Sequence, residues 1–219
     1  MERLRVVNLG LPKSGTTTLG KALSESGLHT VDHRLHGKLT AKPELKGLFT
    51  AHVMYEDFFR CGDPLARLEE FDGFGEISAL HDGNPAYPQM DAKVIEAIAR
   101  HHPGVRFVAS WRDPAALSAS MVKWNNLVKR LERNSLPGLP VGYGGKEHER
   151  LAWIEGHYAF LDRFFGGDDI YLRLNVADPE AAELLGGHIG HPISWWGTAN
   201  ANTKAKDAPG ASGTASGGA

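Results

Sequence analysis

Leu4-Arg-Val-Val-Asn-Leu-Gly-Leu-Pro-Lys-Ser-Gly-Thr-Thr-Thr-Leu19 decides the fold. Residues 4–9 are a short, mostly apolar run ended by Gly10, which predicts a buried strand. Residues 16–26 follow with Leu19, Ala22 and Leu23 at helical spacing, and Gly27 supplies a C′ stop. The order is therefore strand, Gly-bounded loop, helix. Small residues in the loop let successive backbone N–H groups point inward. The helix N-terminus adds partial positive charge, and Lys13 adds a full one. Ser14, Thr16, Thr17 and Thr18 offer hydroxyl donors. On these grounds the loop is an anion cradle; the alternative is an ordinary junction rich in Gly and Thr. It is not a Walker A loop. Gly10 and Gly15 have the right separation, but the lysine that should follow the second glycine is replaced by Thr16.

Outward from this stretch, further elements follow. A short strand is expected near residues 29–31, and helices near 53–59 and 64–70. Residues 91–102 predict an amphipathic helix with Asp91 as N-cap. Residues 105–110 predict a second buried strand. Asp113 caps the next helix with Pro114 at its first position, and that helix is expected to run through Leu117, Met121, Trp124 and Leu127. Residues 134–146 are rich in Gly and Pro and predict a long loop, a possible lid. Residues 147–165 predict a strong amphipathic helix and 170–176 a strand. A last helix is expected to open at Asp178-Pro179 and close at Gly186-Gly187. Strands alternating with helices predict an α/β, P-loop-like three-layer domain around a mostly parallel sheet, over residues 1–206. Residues 207–219 cannot bury apolar surface and predict a disordered tail. Ligands of such sheets bind beyond the strand carboxyl ends, which points to the loops at 10–17 and 111–120.

Composition narrows the function classes. With 24 basic and 26 acidic residues the net charge is −2, so no global nucleic-acid footprint exists. One cysteine, Cys61, excludes an internal disulfide. No long apolar run predicts a membrane span, and no secretory signal is visible, so the expected compartment is a reducing cytoplasm. His29, His33 and His36 could share a helical face, but no carboxylate or cysteine partner completes a metal site.

Pro12-Lys-Ser-Gly-Thr-Thr-Thr-Leu19, with Ala22-Leu23 and Gly27 behind it, resembles the 5′-phosphosulfate loop of sulfotransferases that use 3′-phosphoadenosine 5′-phosphosulfate (PAPS). A second segment agrees. Val105–Ser110 followed by Trp111-Arg112-Asp113-Pro114, with Ser120 eight residues after the arginine, is similar to that family's 3′-phosphate element. The resemblance covers most of residues 4–204 and is specific in these two segments. It implies a P-loop-like fold and transfer of a sulfuryl group from PAPS, leaving 3′,5′-ADP, to a hydroxyl or amine of a small-molecule, sugar or lipid-linked acceptor. It implies that Lys13 contacts the oxygen bridging sulfur and the leaving phosphate. Ser14, Gly15, Thr16 and Thr17 would cradle the 5′-phosphosulfate, and Arg112 and Ser120 would hold the 3′-phosphate. The family's late loop is matched by Trp196–Lys204, which would bring Asn202, Thr203 and Lys204 to the cofactor; a frayed polar tail is the equal alternative.

Sulfuryl transfer also needs a proton acceptor. Asp82-Gly-Asn-Pro-Ala-Tyr87 resembles the segment of carbohydrate-type members that carries a catalytic carboxylate, although aspartate replaces glutamate. Glu76 in Phe71-Asp-Gly-Phe-Gly-Glu76 resembles a carboxylate at a strand end in compact members. His81 is the third candidate, since cytosolic members use histidine. Sequence leaves Asp82, Glu76 and His81 open. Two alternatives to the whole reading stand beside it: a kinase-like phosphotransferase that needs Mg²⁺ and a lysine after Gly15, and a nucleotide-binding module without turnover.

Overall fold

The computed structural model describes residues 2–81 and 83–199. Five parallel strands form one sheet in the order β2-β3-β1-β4-β5. They are β1 (Arg5–Asn8), β2 (Thr30–Val31), β3 (Gly73–Phe74), β4 (Val105–Trp111) and β5 (Tyr171–Asn175). The helices are α1 (Thr16–Glu25), α2 (Thr50–Cys61), α3 (Ala92–His101), α4 (Pro114–Val122), α5 (Leu127–Arg133), α6 (Glu147–Phe165) and α7 (Ala181–Ile189). This is the α/β, three-layer architecture expected, with a sheet that is wholly rather than mostly parallel.

Strand alternation builds the layers. On β1, Val6 joins a cluster with Leu19 and Leu23 of α1 and Leu185 of α7, while Val7 faces the larger core. On β4, Val108 joins the first cluster, and Phe107 and Ala109 join the second, against α2 to α6. Helices therefore cover both faces, as buried parallel strands require. Close approach of α1 to the sheet depends on glycine: a Cβ on Gly75 would lie 2.9 Å from the Cα of Gly20.

Three expectations fail. Residues 64–70 are consecutive turns, not a helix; Ala66, Leu68 and Phe71 N–H groups reach carbonyls three residues back. The buried Asp57 carboxylate takes the Arg67 N–H and side chain, fixing this path. The helix from Pro114 does not continue to residue 127. It stops at Val122, and Asn125 and Asn126 take positive φ before α5 begins. Asparagine tolerates that region, so the break is locally encoded. The last helix passes through Gly186-Gly187 and closes at Gly190, which takes φ 65°. The loop at 134–146 is tied down. Arg150, 5% exposed, donates to the carbonyls of Gly144 and Gly145 and to Ser118 on α4. The predicted tail at 207–219 lies outside the described residues.

Candidate functional site

The chain leaves β1 toward β2 and leaves β4 toward β5, so the carboxyl ends of β1 and β4 flank the point where the order reverses. That crevice is where open α/β sheets bind ligands. A groove of about 870 Å³ opens there.

Its floor is the loop between β1 and α1. Asn8, at the end of β1, is fully buried and organises it. Its side-chain oxygen accepts the N–H groups of Gly10 (2.9 Å) and Ser110 (3.0 Å). Its amide donates to the Gly75 carbonyl (2.7 Å) and Ser110 Oγ (3.1 Å). From α6, Tyr158 donates to the Ser110 carbonyl, and His157 Nε2 bonds the Leu9 carbonyl at 2.8 Å. Lys13 (φ 74°) and Gly15 (φ 115°) alternate with ordinary residues in the loop. Such alternation turns N–H groups to one side, a concavity suited to anions. Gly15 is required twice over, because a Cβ there would also meet Val176 at 2.7 Å. The first-turn N–H groups of α1 have no intrahelical acceptor and add to the cradle.

Most of the sequence candidates converge. Lys13, Gly15, Thr16, Thr17, Glu76, Arg112 and Ser120 all line the groove. Burial and nearby Arg112 hold the Lys13 ammonium below the ordinary lysine range, against the pull of Glu76. Ser14 is placed differently. It is fully buried, its hydroxyl contacts Ser110 Oγ at 2.7 Å and its N–H bonds the Leu11 carbonyl, so it braces the loop from behind. Thr16 spends its hydroxyl on Glu76 Oε2 at 2.8 Å. Thr17, Thr18 and Ser120 also present hydroxyl-bearing side chains in the groove.

Glu76 follows β3 and sits opposite Lys13. Thr16 and Ser78 each donate to one of its oxygens. Burial first, then the charge of Asp32, pushes its carboxyl up; the two hydroxyls partly offset this. Of the other candidate proton acceptors, His81 packs on the Phe49 ring at 5.8 Å and does not line the groove. Asp82 lies outside the described residues, as do Asn202, Thr203 and Lys204. Of the late loop, Trp196–Ala199 reaches the groove wall. That segment is strapped to α1 by His191 and Ser194, which bond the carbonyls of Ser26 and Glu25.

The structure also brings in residues that the sequence did not assign to this site. Asp32 and His33, the latter weighed from sequence only as a metal ligand, follow β2 and line the same groove. The register Thr30–Gly73 and Val31–Phe74, carried two residues on, sets His33 beside Glu76. A bond to Asp32 raises His33 above the usual histidine range. Lys123 and Trp124 close the side next to Arg112. A signal for Asp32 existed in its position directly after a predicted strand; none existed for Trp124, since continuing the helix hid its turn. Among the described residues, no group of three His, Cys, Asp or Glu side chains could hold a metal ion. No helix among them is long and apolar enough to cross a membrane.

No protein-family model matches the chain, and no curated protein matches it.

Proposed function

We propose that the protein is a sulfotransferase moving a sulfuryl group from PAPS to a hydroxyl or amine of a small-molecule, sugar or lipid-linked acceptor. One observation carries the reading: a single groove holds Lys13 and the glycine-threonine cradle at its floor, Arg112 and Ser120 on one wall, and Glu76 on the other. The cation-rich wall suits a nucleotide with phosphate at both ends. The carboxylate wall suits an acceptor that must lose a proton.

The donor supplies an activated sulfuryl group, and the residues of this chain fit its two anionic ends. The cradle N–H groups and Thr17 hold the 5′ end. Arg112, as a planar fork of donors, and Ser120 hold the 3′-phosphate. Lys13 places a positive charge where negative charge grows on the leaving phosphate, the term that dominates when bond breaking runs ahead of bond making. Glu76 takes the acceptor proton, and its raised pKa makes it a better base than an exposed glutamate. Binding at the remote 3′-phosphate serves positioning at the reacting end.

The phosphotransferase alternative requires a lysine where Thr16 stands, and the Thr16 hydroxyl is directed to Glu76. Calorimetry with 3′,5′-ADP, 5′-AMP and ATP-Mg²⁺ tests the reading. A strong preference for 3′,5′-ADP is expected. A preference for ATP-Mg²⁺ overturns it in favour of phosphoryl transfer. Binding of 3′,5′-ADP without turnover across a broad acceptor panel would leave a nucleotide-binding module.

A further inference from the structure

Lys13 combines two properties that conflict. Its role in the proposed reaction requires a fixed ammonium, yet its side chain has four rotatable bonds and its groove contains a carboxylate that attracts it. The Glu76 charge acts on Lys13, but no ion pair joins the two. The ammonium instead lies over the indole of Trp124, 4.9 Å from the ring centroid.

Trp124 is held in place from three sides. Its backbone N–H bonds the Met121 carbonyl at 3.3 Å, and its backbone carbonyl accepts the Leu127 N–H at 2.8 Å. Asn125 and Asn126, at φ 25° and 56°, turn the chain so that the indole faces the groove rather than continuing α4. On the indole lies a second cation, the Arg130 guanidinium, 5.3 Å from the centroid. Arg130 is itself anchored on the Leu80 carbonyl at 3.3 Å. The ring thus serves two cations at once. A flexible ammonium held over an aromatic face keeps its charge while losing rotational freedom, which is preorganisation.

We propose that Trp124 is the positioning residue for Lys13: its indole, steadied by Arg130, holds the ammonium toward the phosphate cradle and out of an ion pair with Glu76. The inference rests on the sulfotransferase reading only for what Lys13 then does. Without the ring, Lys13 and Glu76 would neutralise one another in the half-buried groove, and the leaving phosphate and the acceptor proton would each lose their partner.

The experiment is NMR of protein carrying ¹³C-lysine, with the Lys13 signal assigned by its loss in Lys13→Arg. Protons over an aromatic face resonate upfield, so the Lys13 ε-protons should stand apart from the other lysines. They should return to the bulk position in Trp124→Leu and keep part of the displacement in Trp124→Phe. In parallel, breakdown of PAPS with water as acceptor should fall about two- to fivefold in Trp124→Leu, the scale of a cation–π contact at a partly exposed ring. Trp124→Phe should lose much less, and 3′,5′-ADP affinity should change little in either variant. A Lys13 signal at the bulk position in the wild type, or one unmoved by Trp124→Leu in protein with unchanged thermal midpoint, overturns the proposal. So does an equal fall in affinity and turnover. Failure of the sulfotransferase reading appears separately, as no preference for 3′,5′-ADP over 5′-AMP with the Lys13 displacement intact.

Discussion

Asn8 and Ser110 bond each other in both directions: the Ser110 N–H donates to the Asn8 side-chain oxygen at 3.0 Å, and the Asn8 amide donates to Ser110 Oγ at 3.1 Å. This pair joins the ends of β1 and β4 directly beneath the loop that carries Lys13. The same amide also reaches Gly10 and Gly75, so one buried side chain ties the loop to strands on both sides.

Replacing Asn8 with alanine strips partners from the N–H groups of Gly10 and Ser110 and from the Gly75 carbonyl. Each buried group left unpaired costs about 1–3 kcal/mol, and loss of a buried network costs about 3 kcal/mol or more. Urea unfolding of Asn8→Ala should show a loss on that scale, with 3′,5′-ADP binding weakened as the loop loosens. Ser14→Ala, which removes one contact behind the loop, should cost about 1 kcal/mol. An Asn8→Ala loss no greater than that of Ser14→Ala would mean the network does not organise the loop.

The acidic wall has a predictable titration. Asp32→Asn removes a negative charge beside Glu76, so the Glu76 carboxyl should titrate lower than in the wild type. The same change removes the bond that favours His33⁺, so His33 should also titrate lower. Thr16→Val removes a donor to the Glu76 carboxylate and should move Glu76 further up. Because the folded protein favours the protonated form of Glu76, that contribution to stability is complete below the unfolded glutamate pKa. It is lost as pH rises through the raised folded value. Glu76→Gln should therefore be more stable than the wild type at pH 8 and converge with it toward pH 4. Carboxyl ¹³C titrations and urea midpoints at the two pH values check this; an upward move of Glu76 in Asp32→Asn contradicts it.

The sheet was legible because its strands announce themselves. Residues 4–9 and 105–110 are short, mostly apolar runs bounded by Gly10 and by Pro103-Gly104, the length and pattern of buried strands, and the strands form at 5–8 and 105–111. The cradle was legible because glycine and threonine at those positions leave few other uses. Residues 64–70 were not legible: their turns are dictated by Asp57, a residue of another element. Ser14 was misplaced because sequence shows a hydroxyl but not which way it points, and Ser110 claims it. Trp124 entered the groove through the local turn at Asn125-Asn126, which the helical spacing of its neighbours masked, whereas Asp32 and His33 entered through strand register, which tertiary packing settles. The short strands β2 and β3 hid the acidic wall for the same reason.

Arg112 should separate nucleotides by their 3′-phosphate. Hydrogen bonds to a charged partner are worth about 1.5–3 kcal/mol, so Arg112→Ala should weaken 3′,5′-ADP binding by about 10- to 100-fold. Binding of 5′-AMP, which lacks that phosphate, should change little. Arg112→Lys keeps the charge but not the fork and should fall between the two. Calorimetry of both nucleotides on the three proteins measures this. Equal losses for the two nucleotides would remove Arg112 from the 3′-phosphate and assign it to general attraction within the groove.

His157 should set the acid limit of the fold. Burial beneath the loop pushes its pKa down from 6.5 to about 4, opposed only partly by the Leu9 carbonyl. Nδ1 has no partner among the described residues, so the neutral ring with its proton on Nε2 is the form that packs. The unfolded chain binds a proton at pH values where the folded protein does not. Stability is therefore complete above about pH 6.5 and falls as pH drops toward 4, by about 3 kcal/mol across that window. A His157→Gln variant keeps an amide donor able to reach the Leu9 carbonyl but cannot titrate. It should be less stable than the wild type at pH 7.5, through poorer packing, yet lose less between pH 6.5 and 4.5. Urea midpoints across that range distinguish the two proteins. Parallel curves would show that the acid sensitivity arises at other groups, and that His157 holds the loop by packing and its one hydrogen bond alone.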